Sequence, residues 1–324
     1  MKTFLHSRAS AFVDTLMCVS MNAIQWRHRL NGSSLAAMEN YVARCEPLSR
    51  EEFYAAPLLK PLPGDDEGRL RWRSPISSGF AENDCTHVDL FPCERGWSAP
   101  TVLMLHALMS ASDTGYHVWA KKFNALGWNA AFIHLPFHYS RTPRGFHNGE
   151  LAVSCDLVRT GEGLRQGVVE LRQLMALLRT RGCREFGLLA TSYGGWIGAL
   201  LCSLESDLRF AALMVPIVNI EHAIWQGGVA WRLRRELLRA GITQPLIARH
   251  FHLSSPLHAP PAFDAKRVLI AGGAYDRIVL LDDLREFSER WRGSELHIAK
   301  QGHFGYRMMR EVFERLQARG DLAT

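Results

Sequence analysis

No C-x-x-C pair occurs in this 324-residue chain, and its seven cysteines are odd in number and scattered from Cys18 to Cys202. That scatter excludes a disulfide framework and a zinc ribbon, and it points to a reducing, cytoplasmic setting. No G-x-G-x-x-G or Walker pattern is present, and Gly161, Gly163 and Gly167 have the wrong spacing for a nucleotide loop. Internal repeats and low-complexity tracts are missing, which excludes solenoids and linker-like polymers. No nucleic-acid motif accompanies the small basic excess of 38 Lys and Arg over 32 Asp and Glu. A long apolar span is also lacking. The uncharged stretch 186–204 has Thr191-Ser-Tyr-Gly-Gly195 in its middle, which reads as a turn. The opening MKTFLHSRASAFVDTLMCVSM is broken by Asp14 and followed by no clean cleavage site, so no secretory signal is expected.

What is present is ordinary for a globular chain: 47% hydrophobic and 22% charged residues. Residues 1–65 read as an N-terminal helical extension. Phe12, Leu16, Val19 and Ala23 recur at helical spacing, a second helix runs over 35–43, and Ser49-x-x-Glu52 is a capping box opening a third. The turn-rich stretch 60–68 joins this extension to a main domain over 66–324. Residues 70–76 and 87–91 read as short antiparallel strands. Runs apolar on both faces follow near 101–106, 129–134, 186–190, 210–218 and 267–273, with helices between most of them. Buried strands alternating with helices predict an α/β architecture with a mostly parallel sheet covered on both faces. Chemistry is then expected beyond the carboxyl ends of the strands. Two excursions leave from those ends, over about 139–160 and 219–265, and the second reads as a small helical cap insertion.

Three polar residues stand at strand ends in a telling order. Ala190-Thr-Ser192-Tyr-Gly194-Gly195 places small residues two before and two after a serine, as a sharp strand-to-helix turn requires. Gly272-Gly273-Ala-Tyr-Asp276 puts a carboxylate just past a buried strand, and Gly302-His303-Phe-Gly305 presents an imidazole from a glycine-flanked loop. A serine nucleophile needs a base, and the base needs an orienting acid. Glu221, Asp282 and Asp283 are alternative acids. The segment His106-Ala107-Leu108 follows the strand at 101–105, where backbone N–H groups of Leu108 and Tyr193 would form an oxyanion hole.

On Ala-x-Ser192-x-Gly-Gly, His106-Ala-Leu, Gly-Gly-x-x-Asp276 and Gly-His303, the chain from about residue 97 to 306 resembles a serine-type α/β-hydrolase of the esterase and lipase kind. Ala107 stands where the family usually has glycine. The resemblance implies the α/β-hydrolase fold with an eight-stranded sheet, a Ser192–Asp276–His303 triad, no cofactor, and hydrolysis of a carboxylic ester through an acyl-enzyme. A thioesterase, another acyl hydrolase or acyltransferase, or a non-catalytic binding protein on the same fold are the alternatives. His106, Ala107, His138, Arg141 and Trp225 are the candidate substrate-binding residues, for a small or lipid-like ester.

The fourteen histidines form no ligand pattern, because His134 and His138 straddle Pro136 and His250, His252 and His258 lack helpers, so no metal is expected. Val229, Leu233 and Leu237 lie on one face of a helix whose other face carries Arg232, Arg235 and Arg239. This basic amphipathic segment packs over the site or makes a peripheral membrane contact. The N-terminal helices either pack on the sheet edge or mediate a homodimer.

Overall fold

The structure, a computed structural model, describes residues 2–27, 33–62, 68–226, 230–305 and 307–324. Val229 and residues 63–67 of the join therefore lie outside the described residues. Eight strands form one sheet: β1 (Arg69–Arg73), β2 (Cys85–Phe91), β3 (Thr101–Leu105), β4 (Asn129–Ile133), β5 (Phe186–Thr191), β6 (Leu208–Met214), β7 (Val268–Gly273) and β8 (Glu295–Ala299). Their order is β1-β2-β4-β3-β5-β6-β7-β8. The β1–β2 and β2–β4 pairs are antiparallel, and every later pair is parallel. Central strands β3, β4 and β7 are buried along their whole length, which is why they read as unbroken apolar runs.

Helices α1 (Lys2–Arg27), α2 (Leu35–Cys45) and α3 (Arg50–Phe53) precede the sheet. The capping box forms as expected: Ser49 Oγ accepts from Glu52 N, and the Glu52 carboxylate accepts from Ser49 N at 2.8 Å. Helices α4 (Thr114–Ala125), α5 (Leu157–Thr180), α6 (Tyr193–Cys202), α10 (Leu281–Arg290) and α11 (Arg307–Ala318) cover the two faces. One core, around Leu103, Leu188, Ile197 and Leu174, lies under α5 and α6. The other, around Val102, Phe132, Phe210 and Val312, lies under α4 and α11. Between β6 and β7 the chain makes α7 (Ile220–Trp225), α8 (Trp231–Arg239) and α9 (Gln244–His250). None of the described helices is long and apolar enough to cross a membrane.

Helix α1 forms, but its apolar stripe faces outward. Phe12 is 68% exposed, Leu16 52% and Val19 56%, while Asp14, Cys18 and Asn22, spaced four apart, are buried. The inward choice has a physical reason at Asp14, whose carboxylate meets backbone donors there.

Candidate active site

The turn from β5 to α6 holds Ser192 at φ 54° and ψ −112°. A β-carbon at Gly194 would stand 2.5 Å from His106 O, and one at Gly195 would stand 2.9 Å from Pro216 Cα. Only glycine lets the turn pack this tightly against β3 and the segment after β6. Ser192 N–H donates to Met214 O at 2.8 Å, and Gly194 N–H donates to His106 O at 3.1 Å. The serine hydroxyl is thereby raised at the start of α6, where backbone N–H groups lack intrahelical acceptors.

The three residues distant in sequence meet at this hydroxyl. Ser192 Oγ lies 2.9 Å from His303 Nε2, and His303 Nδ1 lies 2.8 Å from Asp276 Oδ2. Asp276 Oδ1 accepts from the Ile278 and Val279 N–H groups at 2.8 and 2.9 Å, which fixes the carboxylate. The Asp276 side chain is fully buried and that of His303 is 6% exposed. Of the alternative acids, Asp283 is instead engaged by His222 Nδ1 at 2.6 Å.

Above the serine opens a cavity of about 110 Å³, walled by Ala107, Leu108, Trp196, Ile220, Ile224, Leu233 and Phe304, with Met21 and Asn22 of α1. Leu108 sits on the loop that leaves β3, and Tyr193 begins α6. Leu108 lines the cavity together with Ser192, and Tyr193 follows the serine directly in the chain.

The other candidate binding residues divide. Ala107 is in the wall. His106 and His138 are fully buried behind it and hold the loop instead. His106 Nδ1–H donates to Ala107 O at 2.9 Å, and its Nε2 accepts from Leu135 N–H at 3.0 Å. His138 Nδ1–H donates to Pro136 O at 2.8 Å, and its Nε2 accepts from Met109 N–H at 3.1 Å. Met109, at φ 52°, is thereby fixed next to Leu108. Burial pushes the His138 imidazole down to about 4 and drives His106 well below its usual range, so both rings are neutral and each has one acceptor nitrogen.

Arg141 is also corrected. It is fully buried, with Nη1 2.6 Å and Nη2 2.8 Å from the two Glu170 oxygens and further bonds to Asn83 O and His134 O. A guanidinium so completely paired is a brace between the 134–141 loop and α5, not a ligand for substrate. Trp225 lies outside the cavity wall, to which Ile220, Ala223 and Ile224 of the same helix contribute.

One residue escaped the sequence reading. Asp14 of α1 accepts from His303 N–H at 3.1 Å through both oxygens, and from Arg277 N–H at 3.1 Å. It ties the histidine loop to the acid loop. Its signal was an acid inside an apolar helix, read only as the break in a leader peptide. Burial, with Asp14 and Asp276 nearby, pushes the Cys18 thiol up to about 11, so it stays protonated and does not compete as a nucleophile.

The comparison with solved structures decides the fold. Acetyl xylan esterase 1 from Thermoanaerobacterium sp. JW/SL YS485 aligns with TM-score 0.59 at 13% identity, over 90% of this chain and 95% of that one. The chain has the α/β-hydrolase fold. The acetyl xylan esterase from Paenibacillus sp. R4 aligns with TM-score 0.58 and 12% identity, over 92% of this chain and 98% of its own. Pyrococcus horikoshii acylaminoacyl peptidase aligns with TM-score 0.53 and 18% identity, over 81% of this chain and 42% of that one. No family model matches the sequence. Two curated Mycobacterium tuberculosis proteins, uncharacterized proteins MT2702 (strain CDC 1551 / Oshkosh) and Rv2627c (strain ATCC 25618 / H37Rv), are 28% identical to it over 205 residues. The match takes in 63% of this chain and 48% of theirs, so the chain spans about half the length of the curated relatives it matches. In this α/β-hydrolase fold, Ser192, Asp276 and His303 occupy the ends of β5, β7 and β8.

Proposed function

We propose that this chain is a serine hydrolase that cleaves a carboxylic ester through an acyl-enzyme. The observation that carries the reading is the unbroken relay Ser192 Oγ–His303 Nε2, His303 Nδ1–Asp276 Oδ2, opening on an apolar cavity. Ser192 Oγ attacks the carbonyl carbon while His303 Nε2 takes its proton. Asp276 accepts from Nδ1–H, which holds the tautomer and stabilises the imidazolium. The Tyr193 and Leu108 N–H groups receive the oxyanion, and His303 returns the proton to the leaving alcohol. A water activated by the same nitrogen then releases the acid.

The cavity supports a small apolar acyl group. Its volume of about 110 Å³ corresponds to roughly three to four water molecules at liquid density. Two of the aligned structures are named acetyl xylan esterases, which supports a short acyl group over a long one. A series of aryl esters from acetyl to dodecanoyl tests this. The wild type is expected to turn over the short members best, and Ser192→Ala to lose at least ~10⁴-fold in kcat. Turnover within tenfold of wild type in Ser192→Ala overturns the assignment.

A further inference from the structure

A second cluster of chemistry-bearing side chains lies away from the Ser192 cavity, where β2, the end of β4 and the start of α4 meet. Asp89 lies on β2, and His134 directly follows β4. His134 N–H donates to His87 O, which sets these strands in register, and the His87 and His134 rings stack at 6.0 Å and 7°. Residues 87 and 89 share one face of β2. Asp113 is the N-cap of α4, and His117 follows four residues later on the same side of the helix. The oxygens of Asp89 and Asp113 and a nitrogen of His134 all lie within 4.8 Å of one another.

Two features separate this group from ordinary ion pairing. The Nε2 atoms of His134 and His117 are both inaccessible to solvent and make no hydrogen bond, although His134 is only 9% exposed. Each instead stands near one atom, Asp89 Oδ2, at 3.4 and 3.5 Å, and His117 Nε2 is 3.9 Å from Asp113 Oδ2. These separations exceed a charge-assisted hydrogen bond of ~2.7–2.9 Å. The 3.4 Å between His134 Nε2 and Asp89 Oδ2 matches two ligands of one ion, since donors ~2.0–2.2 Å from a central zinc stand roughly 3.3–3.5 Å apart. Two carboxylates this close also repel unless a cation lies between them.

We infer that Asp89, Asp113 and His134 form a binding site for a divalent transition-metal ion, with Zn²⁺ the ion that an imidazole and two carboxylates suit best. The surroundings are those of a ligand set. Nδ1 of His134 is 2.8 Å from Ser140 Oγ, and a proton donated there leaves the Nε2 lone pair aimed at the cluster. Three protein ligands converge here, which leaves the fourth position of a tetrahedral ion to water. The ion would pin Asp113, at the far end of the 106–113 loop that carries Leu108, to β2 and β4.

Sequence spacing did not reveal this group because His134 was weighed against His138, four residues on, whereas the partners come from three separate elements.

The test uses the full chain, stripped with EDTA and titrated with ZnCl₂ in a calorimeter, and it needs no turnover. One site with Kd at or below the micromolar range is expected, with a rise in Tm on loading. Asp113→Asn is the first variant, because Asp113 makes no side-chain cap bond and is partly exposed, so the fold should persist. It is expected to bind at least tenfold more weakly and to lose the Tm rise, and His134→Ala is expected to do the same. In wild type, Co²⁺ in place of zinc should give the intense visible absorption of a four-coordinate site. Absence of binding by the wild type, or an affinity unchanged in Asp113→Asn, overturns the proposal. The second result would place zinc elsewhere, for instance on His303, and the first would leave the cluster as protonated-histidine ion pairs. Neither outcome bears on the ester chemistry.

Discussion

Ser192 adopts a backbone conformation that a side chain tolerates poorly, and glycines at 194 and 195 bear the closeness this demands. The turn was legible because its need for small residues is written beside the serine. The roles of His106, His138 and Arg141 were not legible, because a polar residue at a strand end looks the same whether it faces the cavity or the loop behind it. Burial decides, and these three are buried. Their burial has a consequence for acid stability. His138 is held down at about 4, and so is His250, whose Nε2–H donates to Leu157 O at 2.9 Å within a closed site. Above pH ~6.5 both are neutral whether folded or unfolded, and they contribute no pH dependence. As pH falls from ~6.5 toward 4, the unfolded chain takes up protons that the folded chain refuses, so stability is lost across that window. A shift of this size corresponds to at most about 3 kcal/mol per residue. Urea unfolding at pH 7 and at pH 4.5 is expected to show a lower midpoint at the acid pH. An unchanged midpoint contradicts the neutral assignment.

Among the elements, α1 departs furthest from its sequence pattern. Periodicity identified the helix, since Phe12, Leu16 and Val19 share a face, yet the face that docks carries Asp14, Cys18 and Asn22. An apolar stripe ordinarily wins the inward position at about 25 cal/mol per Å². Here the backbone N–H groups of His303 and Arg277 supply the Asp14 carboxylate with charge-assisted bonds that no stripe residue can make. Strands β3, β4 and β7, by contrast, were legible nearly to the residue, because they are buried on both faces, whereas the run at 210–218 overran β6 and that at 70–76 overran β1. Asp14 acts through His303 and Arg277 and touches no substrate, so it is a positioning residue. Asp14→Ala is expected to lower kcat for a short aryl ester by ~10–100-fold while KM changes little, since small misplacements of a base are costly. Asp14→Asn, which keeps an acceptor oxygen, should recover most of the loss. Equal and wild-type-like kcat in both variants would refute the positioning role.

On the scale of the whole molecule, an antiparallel edge of β1, β2 and β4 gives way to parallel strands from β3 to β8, and the site stands at the carboxyl ends of β5, β7 and β8. Alternating apolar runs and helices made this layout readable, and the order Ser, Asp, His then located the site, because an open parallel sheet gathers its strand ends on one rim. What the layout hid were contacts across long sequence gaps: α1 reaching the histidine loop, and three separate elements meeting at Asp89. The central claim is that the rim activates Ser192 alone. Treatment with a fluorophosphonate followed by peptide mapping tests it most directly. The account predicts one phosphonyl group per chain, on Ser192, and strongly slowed labelling in His303→Ala. Labelling of another residue, or none in a folded wild type, would contradict it.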